Sequence, residues 1–87
     1  MTYSIQFKPV VEKDLKGLSK TTLLRVFKQI IALQNQPLPH QALKLAGAGH
    51  LYRLLVGDYR IIYEIDRAEN IIIVHYIRHR KDVYRKM

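Results

Sequence analysis

The stretch LYRLLVGDYRIIYEID, from Leu51 to Asp66, most constrains the fold of this 87-residue chain. Two strand-like runs are separated only by Gly57 and Asp58. A glycine next to an aspartate tolerates the positive φ that a two-residue hairpin turn requires. The stretch therefore predicts two antiparallel strands joined by a tight turn.

A third strand is predicted after this hairpin. The polar segment from Asp66 to Asn70 indicates a second turn, and the run IIIVHYIRH behind it is strongly β-branched. Alternation predicts which residues share a side of each strand: Leu51, Arg53 and Leu55 on the first, Arg60, Ile62 and Glu64 on the second, and Ile72, Val74, Tyr76, Arg78 and Arg80 on the third.

The first half of the chain predicts one strand and two helices. Tyr3, Ile5 and Phe7 alternate with polar residues, which is the period of a half-buried strand. Pro9 suits the first turn of a short helix, which Gly17 closes.

Ser19 is the expected N-cap of the longer second helix, and Pro37 and Pro39 end it. Its apolar residues fall at spacings of three and four, which predicts a stripe packed in the core: Leu23, Leu24, Val26, Phe27, Ile30, Ile31 and Leu33. From Gln34 to His50 a connector is expected.

The predicted fold is therefore α+β, one small domain over residues 1–87 in the order β-α-α-β-β-β. The N-terminal strand belongs to a mainly antiparallel sheet, and both helices pack on one face of it. If the strand register brings Arg53, Arg60 and Arg80 to the other face, that face carries a positive groove walled by apolar residues.

Composition limits the function further. The chain has no cysteine, which excludes thiolate catalysis and disulfides and fits a reducing compartment. No segment has the roughly 20 apolar residues of a membrane span, so a cytoplasmic protein without membrane contact is expected. The net charge of +8 favours polyanionic partners such as RNA, DNA, ribosomes or an acidic protein.

The segments LYRLLVGDYRIIY and HRKDVY together resemble the RelE/ParE superfamily of bacterial toxins, specifically its RelE-like branch. The resemblance implies a toxin of a type II toxin–antitoxin system, an endoribonuclease that cuts mRNA in the ribosomal A site. It implies partners in a cognate antitoxin, mRNA and the ribosome with its 16S rRNA, and metal-independent attack by the RNA 2′-hydroxyl without a cofactor. The family's functional positions fall on Arg53, Arg60, Arg80 and Tyr84.

These residue types suit that reaction. Arg53 and Arg60 can each pair with two phosphate oxygens and hold the charge that builds there. Arg80 is expected near the leaving group as a phosphate clamp, and Tyr84 offers a ring on which a base can stack.

One position departs from the family pattern. Many RelE-like sequences have a second basic residue two positions after the one matching Arg53, whereas this chain has Leu55. His79 is the candidate that could substitute as general base, because imidazole titrates near neutral pH. His75 lies in an apolar strand and is expected to be a hydrogen-bonded sheet residue rather than a catalyst. No histidine is paired with a carboxylate at ligand spacing, so no metal site is expected.

Two alternatives remain open. The first is a ParE-like inhibitor of DNA gyrase on the same fold. The second is a noncatalytic RNA- or ribosome-binding module, for which Leu55 is the strongest argument.

Overall fold

The structure is a computed structural model that describes residues 2–45, 47 and 49–81. Within these residues the elements are β1 (Ser4–Phe7), α1 (Pro9–Lys16), α2 (Lys20–Ala32), β2 (Leu43–Lys44), β3 (Leu51–Val56), β4 (Tyr59–Asp66) and β5 (Ile71–His79). The strands form a sheet in the order β1-β5-β4-β3-β2, in which β1 runs parallel to β5 and the other neighbours are antiparallel. The predicted α+β fold is confirmed, and the two-residue β2 is an addition within the predicted connector.

Local chemistry places the boundaries where the sequence predicts them. Gly57 has a φ of 60° in the β3–β4 turn, the left-handed conformation that glycine adopts without strain. The Oγ of Ser19 accepts a hydrogen bond from the backbone N–H of Thr22 at 3.2 Å and so caps α2. Pro9 occupies the first turn of α1, and Gly17 caps its C-terminus.

The core lies between the two helices and one face of the sheet. Tyr63 is fully buried there, and its hydroxyl donates a hydrogen bond to the Pro37 carbonyl at 2.8 Å. Burial, with a smaller contribution from neighbouring Tyr52, raises the pKa of Tyr63 to about 12. The buried cluster consists of Val11, Val26, Ile30, Leu33, Leu54, Val56, Ile61, Tyr63, Ile65, Ile72, Val74 and Ile77.

A bulge in β5 corrects one prediction. Tyr63 pairs with Val74 while its neighbour Ile62 pairs with Tyr76, so His75 is an extra residue on β5. Ile72 and Val74 are consequently buried in the core, whereas Tyr76, opposite Ile62, lies on the other face. The prediction that Ile72 and Val74 share a side with Tyr76 is therefore wrong, because simple alternation fails across an inserted residue.

The apolar stripe of α2 is also corrected. Val26 and Ile30 are fully buried, but Leu24, Phe27 and Ile31 are 63%, 42% and 49% exposed. The stripe is wider than the line along which a single helix can contact a sheet, so only its inner edge reaches the core. We call Leu24, Phe27 and Ile31 the α2 apolar strip.

Candidate functional site

The face of the sheet turned away from the helices carries the candidate site, and we call it the open face. Two cross-strand rows define it. In the first row Leu55 of β3 pairs with Arg60 of β4, which pairs with Arg78 of β5. In the second row Arg53, Ile62 and Tyr76 pair in the same way. The register thus brings Arg53 and Arg60 together as diagonal neighbours, as the sequence suggested.

The two arginines lie against the sheet rather than extending into solvent. Ile62 is only 3% exposed although it belongs to the open face and not to the core cluster. The Nε atoms of Arg53 and Arg60 are themselves buried. Arginine stems commonly cover apolar surface while the charged head stays at its edge, and this packing fixes where the two guanidinium groups lie.

The Arg53 Nε is buried and finds no hydrogen-bond partner among the described residues. Because this atom is buried, a ligand can reach only the rest of the guanidinium group, and an anion is the ligand that complements such a group best. The open face therefore suits a phosphate group.

Arg78 is held differently, by α1. The Asp14 carboxylate accepts hydrogen bonds from the Ile77 backbone N–H, at 3.0 Å, and from Nη1 of Arg78. The Arg78 guanidinium lies over the Tyr76 ring, 5.0 Å from its centroid. Sequence reasoning did not select Arg78 and Tyr76 as site residues, although the alternation that placed Arg80 also reaches both of them.

Arg80 follows β5 at the end of the sheet where the β3–β4 turn lies. Its backbone N–H donates to the Asp58 carbonyl at 2.8 Å, and its Nε lies 3.8 Å from the Asp58 carboxylate. Both side chains are more than half exposed, so this ion pair is weak and an anionic ligand can displace it. Arg80 is thus two residues beyond Arg78, which is the β5 member of the Arg60–Arg78 row.

The two histidines of β5 lie on different faces of the sheet. His79 pairs with Tyr59, the two rings meeting edge to face at 5.0 Å, and both line a cavity of ≈ 450 Å³ against α1. His79 is therefore separated by the sheet from Arg53 and Arg60. His75 Nε2 lies 2.8 Å from Glu64 Oε1, which confirms that His75 is a hydrogen-bonded sheet residue.

Tyr84, the fourth residue that the resemblance selected, lies outside the described residues. Within the part of the chain that the structure describes, no group of three or more His, Asp or Glu could hold a metal ion. No helix among the described residues is long and apolar enough to cross a membrane.

Fold and open face together define a small α+β domain with a basic sheet surface. The family model for the ParE toxin of type II toxin–antitoxin systems, parDE, matches residues 5–84. The chain belongs to this family, within the RelE/ParE superfamily, and is a toxin of the type II class.

The similar proteins include archaeal proteins named RelE. A protein of Methanocaldococcus jannaschii named RelE1 is 28% identical over 88 residues, which covers 98% of each chain. RelE in the RelE–RelB complex of Pyrococcus horikoshii is 32% identical, with a TM-score of 0.82 over 92% of this chain and 97% of that one. The RelB–RelE complex of Methanococcus jannaschii gives 28% identity and a TM-score of 0.79, covering 94% and 98%.

Proposed function

We propose that this toxin is a ribosome-dependent mRNA endoribonuclease of the RelE type, cutting mRNA in the ribosomal A site without a metal. The observation that carries the proposal is the diagonal pair of Arg53 and Arg60 on the open face, with Arg80 at its end. The similarity to archaeal RelE proteins supports the same assignment.

The reaction begins when the 2′-hydroxyl of one nucleotide gives up its proton to solvent and its oxygen attacks the adjoining phosphate. The phosphate accumulates negative charge until the bond to the 5′-oxygen breaks, which leaves a 2′,3′-cyclic phosphate and a 5′-hydroxyl that has taken a proton from solvent. Guanidinium groups are permanently charged and donate two hydrogen bonds in parallel, so Arg53 and Arg60 stabilise this charge in the transition state. Because the Nε atoms of both side chains are already buried on the open face, the two arginines need little reorganisation as the charge develops.

Arg80 and Tyr84 complete the proposed site. Arg80 exchanges its exposed contact with Asp58 for a phosphate oxygen near the leaving group. Tyr84 stacks on a base of the mRNA. We give His79 no part in proton transfer, because it lies on the helix side of the sheet opposite Tyr59. Catalysis then rests on positioning and charge stabilisation rather than on a histidine base.

The proposed protein partner is an acidic antitoxin. The similar RelE proteins of Pyrococcus horikoshii and Methanococcus jannaschii are in complexes with RelB, and the net charge of +8 favours an acidic partner. The α2 apolar strip supplies exposed apolar surface of the kind that protein interfaces cover. Phe27 is central in this strip and stacks on Phe7 with ring centroids 6.3 Å apart.

A Phe27→Glu variant tests this partner surface. It places a negative charge against the acidic antitoxin and removes the apolar contact, so a tagged antitoxin should retain at least tenfold less toxin at moderate salt. Lys13→Glu, an exposed change on α1, controls for the change in net charge, because it lowers that charge by two whereas Phe27→Glu lowers it by one. Equal retention of Phe27→Glu and wild type would exclude the strip from the interface.

The nuclease proposal is tested by primer extension on a reporter mRNA in a translation extract, with and without ribosomes. Cuts that require ribosomes and vanish with Arg60→Ala or Arg80→Ala support it. Arg67→Ala is the matched control, because Arg67 is an exposed arginine in the β4–β5 turn. Cuts that persist in all three variants contradict it.

A second candidate function is inhibition of DNA gyrase, which the match to the ParE family model favours. The same purified protein is tested in a parallel DNA supercoiling assay. Blocked supercoiling together with uncut mRNA would replace the nuclease proposal with this one.

A further inference from the structure

We propose that Tyr76 is a stacking platform for a base of the bound single-stranded RNA, and that Asp14 and Arg78 hold its ring in place. The inference rests on the proposed function for the identity of the ligand. It adds an RNA-binding residue on β5, which is the neighbour of Arg60 on the side away from β3. The resemblance assigned no role to this part of the open face.

The position of Tyr76 is the first argument. Tyr76 ends the row that begins with Arg53 and Ile62, and it is a diagonal neighbour of Arg60, since Arg60 pairs with Arg78. Diagonal cross-strand neighbours have Cβ atoms about 7 Å apart. A nucleotide whose phosphate is held by Arg60 can therefore place its base over the Tyr76 ring.

The contact that holds one face of the Tyr76 ring is the second argument. The Asp14 carboxylate accepts hydrogen bonds from both the Ile77 backbone N–H and the Arg78 side chain, so it joins α1 to the two strand residues that follow Tyr76. Arg78 is thereby fixed with its guanidinium 5.0 Å from the centre of the Tyr76 ring, which is a cation–π contact. A ring that is already held loses less conformational entropy when a base stacks on it.

The charges at this position are the third argument. Arg78 lies directly opposite Arg60, and two like charges facing each other across a strand pair destabilise a sheet. The ion pair with Asp14 neutralises Arg78 and draws it over Tyr76. Arg60 is the proposed phosphate ligand of this row, and Arg78 serves the ring instead of competing for the phosphate.

A purely structural role for Tyr76 would be to cover Ile62, its cross-strand partner. Leucine can cover Ile62 equally well but offers no π-face, whereas phenylalanine retains the π-face and loses only the hydroxyl. The pair of variants Tyr76→Leu and Tyr76→Phe therefore separates packing from stacking.

The experiment uses short single-stranded oligoribonucleotides in which one base is 2-aminopurine, whose fluorescence is quenched when it stacks. Binding is followed in parallel by fluorescence anisotropy at low ionic strength. Because Tyr84 is proposed to stack on a different base, we expect wild type and Tyr76→Phe to quench the probe at one position that Tyr84→Leu still quenches. Tyr76→Leu should abolish that quenching and weaken binding about tenfold.

Two further variants sharpen the test. Asp14→Asn keeps an acceptor for the Ile77 N–H but loses the ion pair to Arg78, so it should reduce quenching at the same position with a smaller loss of binding. Tyr3→Leu makes the same substitution as Tyr76→Leu on the helix side of the sheet, where Tyr3 packs against the core. It should leave quenching unchanged.

The proposal is overturned if Tyr76→Leu quenches and binds as wild type does, or if wild type binds RNA without quenching at any position. Absence of binding at low ionic strength would overturn it equally. Failure of the proposed function is a separate result: position-specific quenching by a protein that cuts no ribosomal mRNA would keep the platform and remove the nuclease. Confirmed cleavage with unchanged quenching in Tyr76→Leu would remove the platform alone.

Discussion

At the scale of single residues, Leu55 determines the surroundings of Arg60 on the open face. Leu55 lies directly opposite Arg60 and is 47% exposed. One side of Arg60 is therefore apolar, and Arg53 and Arg60 stand as the arginine pair of this region without a third cation from β3.

A Leu55→Arg substitution supplies that cation. We expect cleavage of ribosome-bound mRNA to become several-fold faster, because the phosphate gains another charged donor. Two like charges facing each other should also lower the free energy of unfolding by about 0.5 kcal/mol. Cleavage rates and thermal denaturation measure both effects. Leu55→Gln is the uncharged control, and equal rates for the two variants would show that charge at this position does not matter.

Tyr63 makes a prediction about alkaline pH. Its pKa is raised to about 12 in the fold and is about 10 in an unfolded chain, so burial of the neutral phenol stabilises the fold fully below pH 10. That contribution is lost as the pH rises through 12. The melting temperature of wild type should thus fall more steeply between these pH values than that of Tyr63→Phe.

The same variant has a cost at neutral pH. Tyr63→Phe loses the hydrogen bond to the Pro37 carbonyl, which should lower the free energy of unfolding by about 1 kcal/mol. If the two proteins show parallel melting curves across the alkaline range, the phenol of Tyr63 does not titrate as its burial implies.

At the scale of elements, the β3–β4 hairpin sets the register of the open face, and Gly57 sets the hairpin. A Cβ at Gly57 would meet only the Arg25 guanidinium, at 3.6 Å, so space does not exclude a side chain. The φ of 60° is what restricts this position to glycine. Gly57→Ala should therefore destabilise the protein by about 1 kcal/mol in chemical denaturation.

Gly17 provides the control for this prediction. It has a φ of −84°, which any residue adopts, and a Cβ there would meet ordinary contacts. Gly17→Ala should be neutral or slightly stabilising. Equal destabilisation by the two alanines would mean that backbone conformation does not explain the role of Gly57.

The elements also show what sequence can predict for this chain. The Ser19 cap, the Gly57 turn and the ends of β3, β4 and β5 follow from residues within a few positions, and the structure confirms them. The bulge at His75 and the exposed α2 apolar strip depend on how elements that are distant in the sequence pack together. The spacing of hydrophobic residues alone could therefore not reveal them. The diagonal placement of Arg53 and Arg60 was predictable only once a register was assumed, and the Asp14–Arg78 contact joins residues 64 positions apart.

At the scale of the whole molecule, the net charge of +8 governs how the toxin meets its partners. Binding of single-stranded RNA should weaken linearly on a log–log plot as salt increases, with a slope of about 0.7 for each phosphate contact. Arg60→Ala should reduce that slope by about 0.7, while Arg67→Ala leaves it unchanged. Filter binding across a salt series measures the slopes, and identical slopes in the two variants would show that Arg60 contacts no phosphate.

The measurement that tests the account most directly is single-turnover cleavage of mRNA on programmed ribosomes by wild type, Arg60→Ala, Arg60→Lys and Arg67→Ala. The open-face arginines are proposed to stabilise the transition state, so Arg60→Ala should be slower by at least a hundredfold. Arg60→Lys should recover only part of the rate because an ammonium cannot pair with two phosphate oxygens as a guanidinium does, and Arg67→Ala should match wild type. Cleavage by Arg60→Ala at the wild-type rate would contradict the account, because the open face would then not be the active site.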